Sequence, residues 1–287
     1  MSANEIQELI NNAGDLITLP EISLKVNTIA NDPHSSAEDM GKVISQDPAL
    51  VVRMLKIANS AYYGLSTEVD TITRAIAVLG TKKIRDLVLS TSAKQTFDGI
   101  PNDLITMQDF WHHSLYCGLL AQILSKKCKK ANAESIFIAG LLHDIGQLLM
   151  FNQQPQKSHE VILLLMEGSE ELETFEAEKH VFGFDHTQVG AELIRNWNLA
   201  PILQECVEFH HDPKSAKNFP VEAALINIAN AVAVMADFDS NNEDDEIPMI
   251  DPVSWQLTGL TKNDLPAAIK QAQEEIKEIE TVLFPAK

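Results

Sequence analysis

The 287-residue chain is short of aromatic residues, cysteine and positive charge. Aromatics make up 6% of it, and Gly and Pro number 12 each, so neither a β-rich nor a low-complexity protein is indicated. Three cysteines, Cys117, Cys128 and Cys206, form no C-x-x-C pair, which argues against a disulfide framework and fits reduced thiols in a cytoplasmic protein. No apolar run approaches the ~18 residues needed to span a bilayer. The opening "MSANEIQELI" has neither the basic nor the apolar region of a secretory signal. Lys and Arg total 22 against 41 Asp and Glu, a net charge of −19. Such a surface repels phosphate backbones and anionic lipid at long range, so neither nucleic acid nor a membrane is an expected partner.

What is present reads almost throughout at helical period. In "DPALVVRMLKIANS" (47–60), Pro48 suits a first helical position, and Leu50, Val51, Met54, Leu55 and Ala58 form one face. Residues 71–94 break at Gly80, a helix-ending residue, after which Thr81 can cap a helix carrying Ile84, Leu87, Val88 and Thr91. The pattern lapses around "FDGIPND" (97–103), which reads as a joint between two helical lobes. Beyond it, helices are predicted near 106–129, 134–151, 158–167 and 170–182, the last ended by Gly183. "DHTQ" (185–188) offers a capping box for the next helix, which runs to about Trp197. Further helices start at Pro201 and Pro220, and an amphipathic one covers roughly 264–283. The acidic stretch 237–246 reads as a solvated loop. The expected fold is all-α, with an N-terminal lobe over 1–100 and a C-terminal lobe over 101–287.

Histidine is where chemistry would reside. Five of the nine histidines, with Asp144, form tight groups, at His112–His113, at His143–Asp144 and at His210–His211, with His186 standing apart. His143 and Asp144 interrupt the apolar run "FIAGLLHDIGQLLMF" (137–151), and burying them without partners would cost several kcal/mol. Residues four apart on a helix share a face, so Asp109 and His113 can point together. Adjacent residues diverge by ~100°, so a neighbouring pair can share one centre only at a helix end or in distinct roles. Imidazole and carboxylate suit Fe, Mn or Zn in a site that hydrolyses phosphate. Cys117, four residues beyond His113, could suggest a nucleophile, but its mid-helix place fits a core thiol.

The order His113, "HD", His186, "HH" resembles the HD superfamily of metal-dependent phosphohydrolases. The surrounding blocks, "DPALVVRMLKIANSAYYGL", "AIAVLGTKKIRDLVLS", "FWHHSLYCGLLAQIL", "FIAGLLHDIGQLLM", "FGFDHTQVGAELIRNWNL" and "CVEFHHDP", resemble its HDOD branch from about Leu19 to Ala236. The resemblance implies an all-helical bacterial signalling protein whose C-terminal lobe is an HD-like bundle. Carried over residue by residue, it implies Asp109, His113, His143, Asp144, His186, His210 and His211 as metal positions. In an active enzyme, His143 and Asp144 would be the catalytic pair.

The chain departs from the catalytic relatives that this resemblance brings in. Gln147 stands where they keep a lysine, "DPKSAKNFP" replaces a longer loop ending in "GYP", and Asn230 stands where a bridging aspartate is expected. Asp109 replaces a longer glutamate. A neutral amide offsets no cationic charge, so these changes favour a regulatory module over a two-metal phosphodiesterase. The sequence leaves two states of the centre open: one divalent ion (Fe, Mn or Zn), or a metal-free hydrogen-bonded network. The expected partner is a signalling protein, with a nucleotide or phosphate in the cleft as the accompanying ligand class. A metal-dependent phosphohydrolase of nucleotides or cyclic dinucleotides is the alternative. The basic run Lys82, Lys83, Arg85 reads as a short surface face rather than a DNA-reading helix. "NSAYYGL" (59–65) reads as a docking turn or a recognition surface.

Overall fold

A computed structural model describes residues 2–65, 68–97, 105–128, 131, 135–167, 172–237 and 250–284. Among them every regular element is a helix. In chain order the first are α1 (Ser2–Ala13), α2 (Glu21–Asn31), α3 (Ala37–Ile44), α4 (Pro48–Ala58), α5 (Ile72–Leu79) and α6 (Thr81–Phe97). Next come α7 (Met107–Ser125), α8 (Ile136–Leu142), α9 (Ile145–Gln153), α10 (Pro155–Glu167) and α11 (Thr174–Phe182). The rest are α12 (His186–Asn196), α13 (Pro201–Phe209), α14 (Pro220–Asp237), α15 (Pro252–Thr258) and α16 (Leu265–Leu283). No described helix is long and apolar enough to cross a membrane. The joint expected over 97–103 and the acidic stretch 237–246 lie almost wholly outside the described residues.

The chain divides into two compact units, one of Met1–Ile17 with Gly99–Pro266, the other of Thr18–Asp98 with Ala267–Lys287. A change of unit falls close to residue 100, where the sequence reading puts its single cut, but the two ends of the chain cross over. α1 buries Ile6, Leu9, Ile10 and Ala13, and it packs on α9 and α12. Just past it, the Trp197 indole donates to the Ile17 carbonyl at 2.8 Å. At the other end, Glu278 of α16 accepts from the Tyr62 amide at 2.9 Å. Helices distant in sequence thus complete each core, which a linear boundary does not express.

In the unit built on Thr18–Asp98, α4 begins as its sequence predicts. The Asp47 carboxylate accepts from the Ala49 and Leu50 amides, and Pro48 occupies the first turn, where its missing N–H leaves no partner wanting. Its buried face is Leu50, Met54, Ile57 and Ala58, with Val51 and Leu55 only half-buried. α5 ends at Gly80 (φ 89°), and Thr81 proves to be the first residue of α6 rather than its cap. Arg85 is buried with its guanidinium on Asp86 at 2.6 Å, so it adds nothing to the surface charge of Lys82 and Lys83. In the segment 59–65, Asn59 exchanges two hydrogen bonds with the Val69 backbone, and Tyr62 meets α16 of the same unit.

The other unit carries the histidines. One helix is expected over 134–151; two are found, α8 and α9, separated by a turn at His143 and Asp144. His143 keeps helical torsions, but Asp144 (φ −99°, ψ 9°) leaves them and caps α9. This break lets adjacent side chains work at one centre, the helix-end condition set by their ~100° divergence. α11 ends at Gly183 in the left-handed region (φ 84°), as its glycine predicts. The predicted capping box then opens α12, with Asp185 accepting from the Gln188 amide and Gln188 from that of Asp185.

Candidate metal centre

Two backbone contacts set the helices at the separation the site needs. A Cβ on Gly140 would lie 2.6 Å from the Gly118 Cα, so α8 and α7 touch main chain to main chain. A Cβ on Gly146 would lie 2.1 Å from the His186 carbonyl oxygen, so α9 meets the first turn of α12 with no room for a side chain. Glycine is therefore required at 146 by close approach rather than by torsion. Through these contacts α7 brings His113, the α8–α9 turn brings His143 and Asp144, α12 brings His186, and the end of α13 brings His210 and His211.

The Asp144 carboxylate lies at their centre. Its Oδ2 is 3.1 Å from His143 Nε2 and 3.6 Å from His113 Nε2. Its Oδ1 is 3.2 Å from His186 Nε2 and 3.6 Å from His210 Nε2. The donors thus form two sets with ligand atoms inside 4.8 Å, His113–His143–Asp144 and His186–His210–His211. His143, His186 and His210 are fully enclosed, whereas Asp144, His113 and His211 keep side-chain exposures of 12%, 14% and 18%.

Of the seven positions implied by resemblance, six converge and Asp109 does not. Asp109 is exposed one turn before His113, where its carboxylate accepts from Thr106 and its amide donates to the Thr106 hydroxyl at 3.1 Å. It serves the start of α7, and it belongs to neither donor set. Cys117 is a buried thiol beside His143, consistent with a core cysteine. Asn230 does reach the site: its Oδ1 is 3.0 Å from His113 Nε2.

Outer partners orient the rings. His143 Nδ1 is 2.7 Å from the Gly140 carbonyl and His210 Nδ1 is 2.9 Å from that of Val207. Carbonyls only accept, so both Nδ1 atoms carry hydrogen and both Nε2 atoms face inward. His186 Nδ1 is 2.6 Å from the Glu178 carboxylate, with the same result. Asn227 donates to the His210 carbonyl at 2.8 Å, and Ser254 donates to Asn227 at 2.7 Å. His211 stacks on Phe175 at 4.4 Å, and Lys179 lies over that ring at 4.8 Å.

Glu178 is the functional residue that sequence reasoning missed. It is one of several glutamates in an acidic amphipathic helix, and nothing in "ETFEAEKHVF" marks it as buried. Its separation of eight residues from His186 gives no helical register, because Gly183 ends α11 between them.

Charge in the site is strongly polarised. Burial opposes an imidazolium at His143, but the Asp144 carboxylate overrides it and raises the pKa well above 6.5. Burial likewise opposes charge at His186, and Glu178 overrides it, raising the pKa to about 10. Asp144 is lowered well below the usual carboxylate range, because the two imidazoles outweigh its desolvation. Burial drives His210 well below 6.5, and it lowers His211 to about 3.

The donor set fits a divalent cation. Buried His143 Nε2 and Asp144 Oδ1 have no hydrogen-bond partner of good geometry, although oppositely charged atoms lie within 3.2 Å of each. Several Nε2 atoms around one carboxylate, with the His143, His186 and His210 rings anchored through Nδ1, is the outer-shell pattern of histidine metal ligands. Hard oxygen with imidazole nitrogen suits Mn, Fe or Zn.

Residues 16–213 match the HDOD domain family. The chain belongs to the HDOD family. Two solved structures cover nearly all of it. A phosphohydrolase candidate of Shewanella amazonensis SB2B is 26% identical with a TM-score of 0.75, the match covering 97% of this chain and 98% of that one. An HDOD domain protein of unknown function from Geobacter sulfurreducens is 23% identical with a TM-score of 0.77, covering 98% and 97%; at that identity it supports the fold alone. An uncharacterized protein of Treponema pallidum (strain Nichols) is 24% identical over 218 residues. The HDOD chain described here spans 42% of that curated relative's length, by a match covering 75% of its own. The all-helical fold expected from the sequence is what these proteins share.

Proposed function

We propose that this HDOD protein is a regulatory module that acts by binding a signalling partner, and that its HD cleft holds a divalent ion without carrying out efficient phosphoester hydrolysis. The observation that carries this reading is the contact between His113 Nε2 and Asn230 Oδ1 at 3.0 Å. An amide brings no negative charge to this position, so nothing beside His113 offsets the charge of a second cation. A carboxylate there would have drawn a second cation beside Asp144. Gln147, half-buried one turn past the dyad, supplies no cation for a phosphate oxygen.

When bound, a divalent ion would act as a Lewis acid and lower the pKa of a coordinated water. His186, His210 and His211, with Asp144 through the Oδ1 that lies 3.2 Å from His186 Nε2, are the residues that would hold it, with Glu178, the Val207 carbonyl and Asn227 fixing their orientation. A small anionic ligand such as a nucleotide phosphate would meet the centre at its part-exposed donors, His113, Asp144 and His211. A phosphohydrolase remains the second reading, favoured by the retained histidine set and by the name of the Shewanella relative.

A screen of nucleotide and cyclic-dinucleotide hydrolysis with Mn or Fe separates the two. No turnover is expected. Turnover that disappears in His143→Ala and Asp144→Ala would overturn the regulatory reading.

A further inference from the structure

The interior around Asp144 contains a second carboxylate with an unusual environment. Glu178 is 1% exposed. Its Oε2 accepts twice from one residue, from His186 Nδ1 at 2.6 Å and from the His186 amide at 2.8 Å. Its Oε1 is buried without a hydrogen-bond partner. A carboxylate held this way is costly unless a positive charge lies close by. No lysine or arginine appears among the buried residues described in this unit, so in the metal-free centre the cationic partner of Glu178 is the His186 ring itself. Lys179, the next residue along, is half-exposed and committed to Asp185 at 2.9 Å. The buried Asp185 charge is thereby accounted for separately.

The centre consequently holds two negative charges of its own, Asp144 and Glu178, joined through the His186 ring. Glu178 meets Nδ1 on one side of that ring, and Asp144 Oδ1 lies 3.2 Å from Nε2 on the other. One divalent cation neutralises this pair of charges. Two would leave these donors with a net charge of about +2. Of the further side-chain oxygens at the ring set among the described residues, Oδ1 of Asn230 is neutral, and the Glu173 carboxylate, 3.7 Å from His211 Nδ1, is 63% exposed and so screened by water.

We infer that the centre takes one divalent ion per chain, on the side bounded by His186, His210, His211 and Asp144 Oδ1, and that Glu178 is the positioning residue that sets both its charge balance and the His186 ring. This rests on the metal-holding part of the function proposed above, and it goes further by fixing stoichiometry and naming the residue that governs it. A carboxylate–histidine–metal relay of this kind raises the ligand's basicity as well as aiming it, and losing the carboxylate typically weakens metal binding 10–100-fold.

The test is titration of the metal-stripped chain with Mn(II) and Zn(II) by calorimetry, with elemental analysis of the loaded protein, for the unaltered chain and for Glu178→Gln. The glutamine keeps an acceptor for both His186 N–H groups but not the charge. A purely structural Glu178 would therefore be rescued by it, and folding is checked by far-UV circular dichroism. One ion per chain, bound 10–100-fold more weakly by Glu178→Gln at unchanged stoichiometry, is the expected result. Two ions of comparable affinity in the unaltered chain, or a Glu178→Gln affinity within threefold of it, would overturn the inference while leaving the regulatory reading intact. Binding of no ion would overturn it together with the metal-holding part of that reading. One ion accompanied by turnover would remove the regulatory reading alone.

Discussion

Lowering the pH should expel a divalent ion from this centre, with a steepness set by two imidazoles. In the metal-free protein, Asp144 holds His143 protonated well above pH 6.5, and Glu178 raises His186 to about 10. His210 and His211 are driven down by burial, so they contribute no protons near neutrality. An ion beside Asp144 and His186 removes the reason for both charges, and the two protons leave as it enters. The apparent association constant should therefore rise about 100-fold per pH unit between pH 6 and 8, or about 2.7 kcal/mol per unit for two protons. Above pH 9 the slope should fall as His186 approaches its own value. Calorimetry of Zn(II) binding at pH 7 in buffers of different ionisation enthalpy counts the released protons directly. A count near zero would show that the imidazoles are neutral in the metal-free centre and that the charge reasoning fails. The same groups govern stability. Because their folded values exceed the ordinary 6.5, their contribution is complete below that pH and is lost as the pH rises through the folded value. Metal-free protein should accordingly lose stability between about pH 6.5 and 10, measurable by urea denaturation across that window.

Gly146→Ala forces a Cβ to within 2.1 Å of the His186 carbonyl, against main chain that cannot rotate away. It should cost about 1–3 kcal/mol in chemical denaturation, the range for overpacking, and weaken metal binding by separating Asp144 from His186. In the other unit, Asp86→Ala removes the carboxylate from the buried Arg85 guanidinium and should cost about 3–5 kcal/mol; a loss under 1 kcal/mol would show that the pair is solvated.

Local chemistry made much of the helical framework legible. Asp47–Pro48, Gly80, Gly183 and Asp185–Gln188 mark helix ends because the groups that satisfy an end are near neighbours in sequence. The break at His143–Asp144 was not legible, since an apolar run on both sides carries the helical period straight through it. Nor was the exchange of terminal helices between units, because burial of α1 against α9 and α12 is a long-range fact.

The candidate site divides along the same line. Six histidine and aspartate positions could be named from their order and surroundings, since residue type in a recognisable pattern is a property of the string. Three things belonged to the tertiary structure alone. Asp109 and His113 share a helix, yet only His113 is inside, because Asp109 is turned to the Thr106 cap. Asn230 and Gln147 are both amides in the sequence, and it is Asn230 that meets a ring of the centre, at 3.0 Å from His113 Nε2. Glu178 looks like any surface glutamate until α11 folds over His186 and buries it. Sequence determined which donors exist; packing decided which of them lose water, and therefore how much charge the interior must balance.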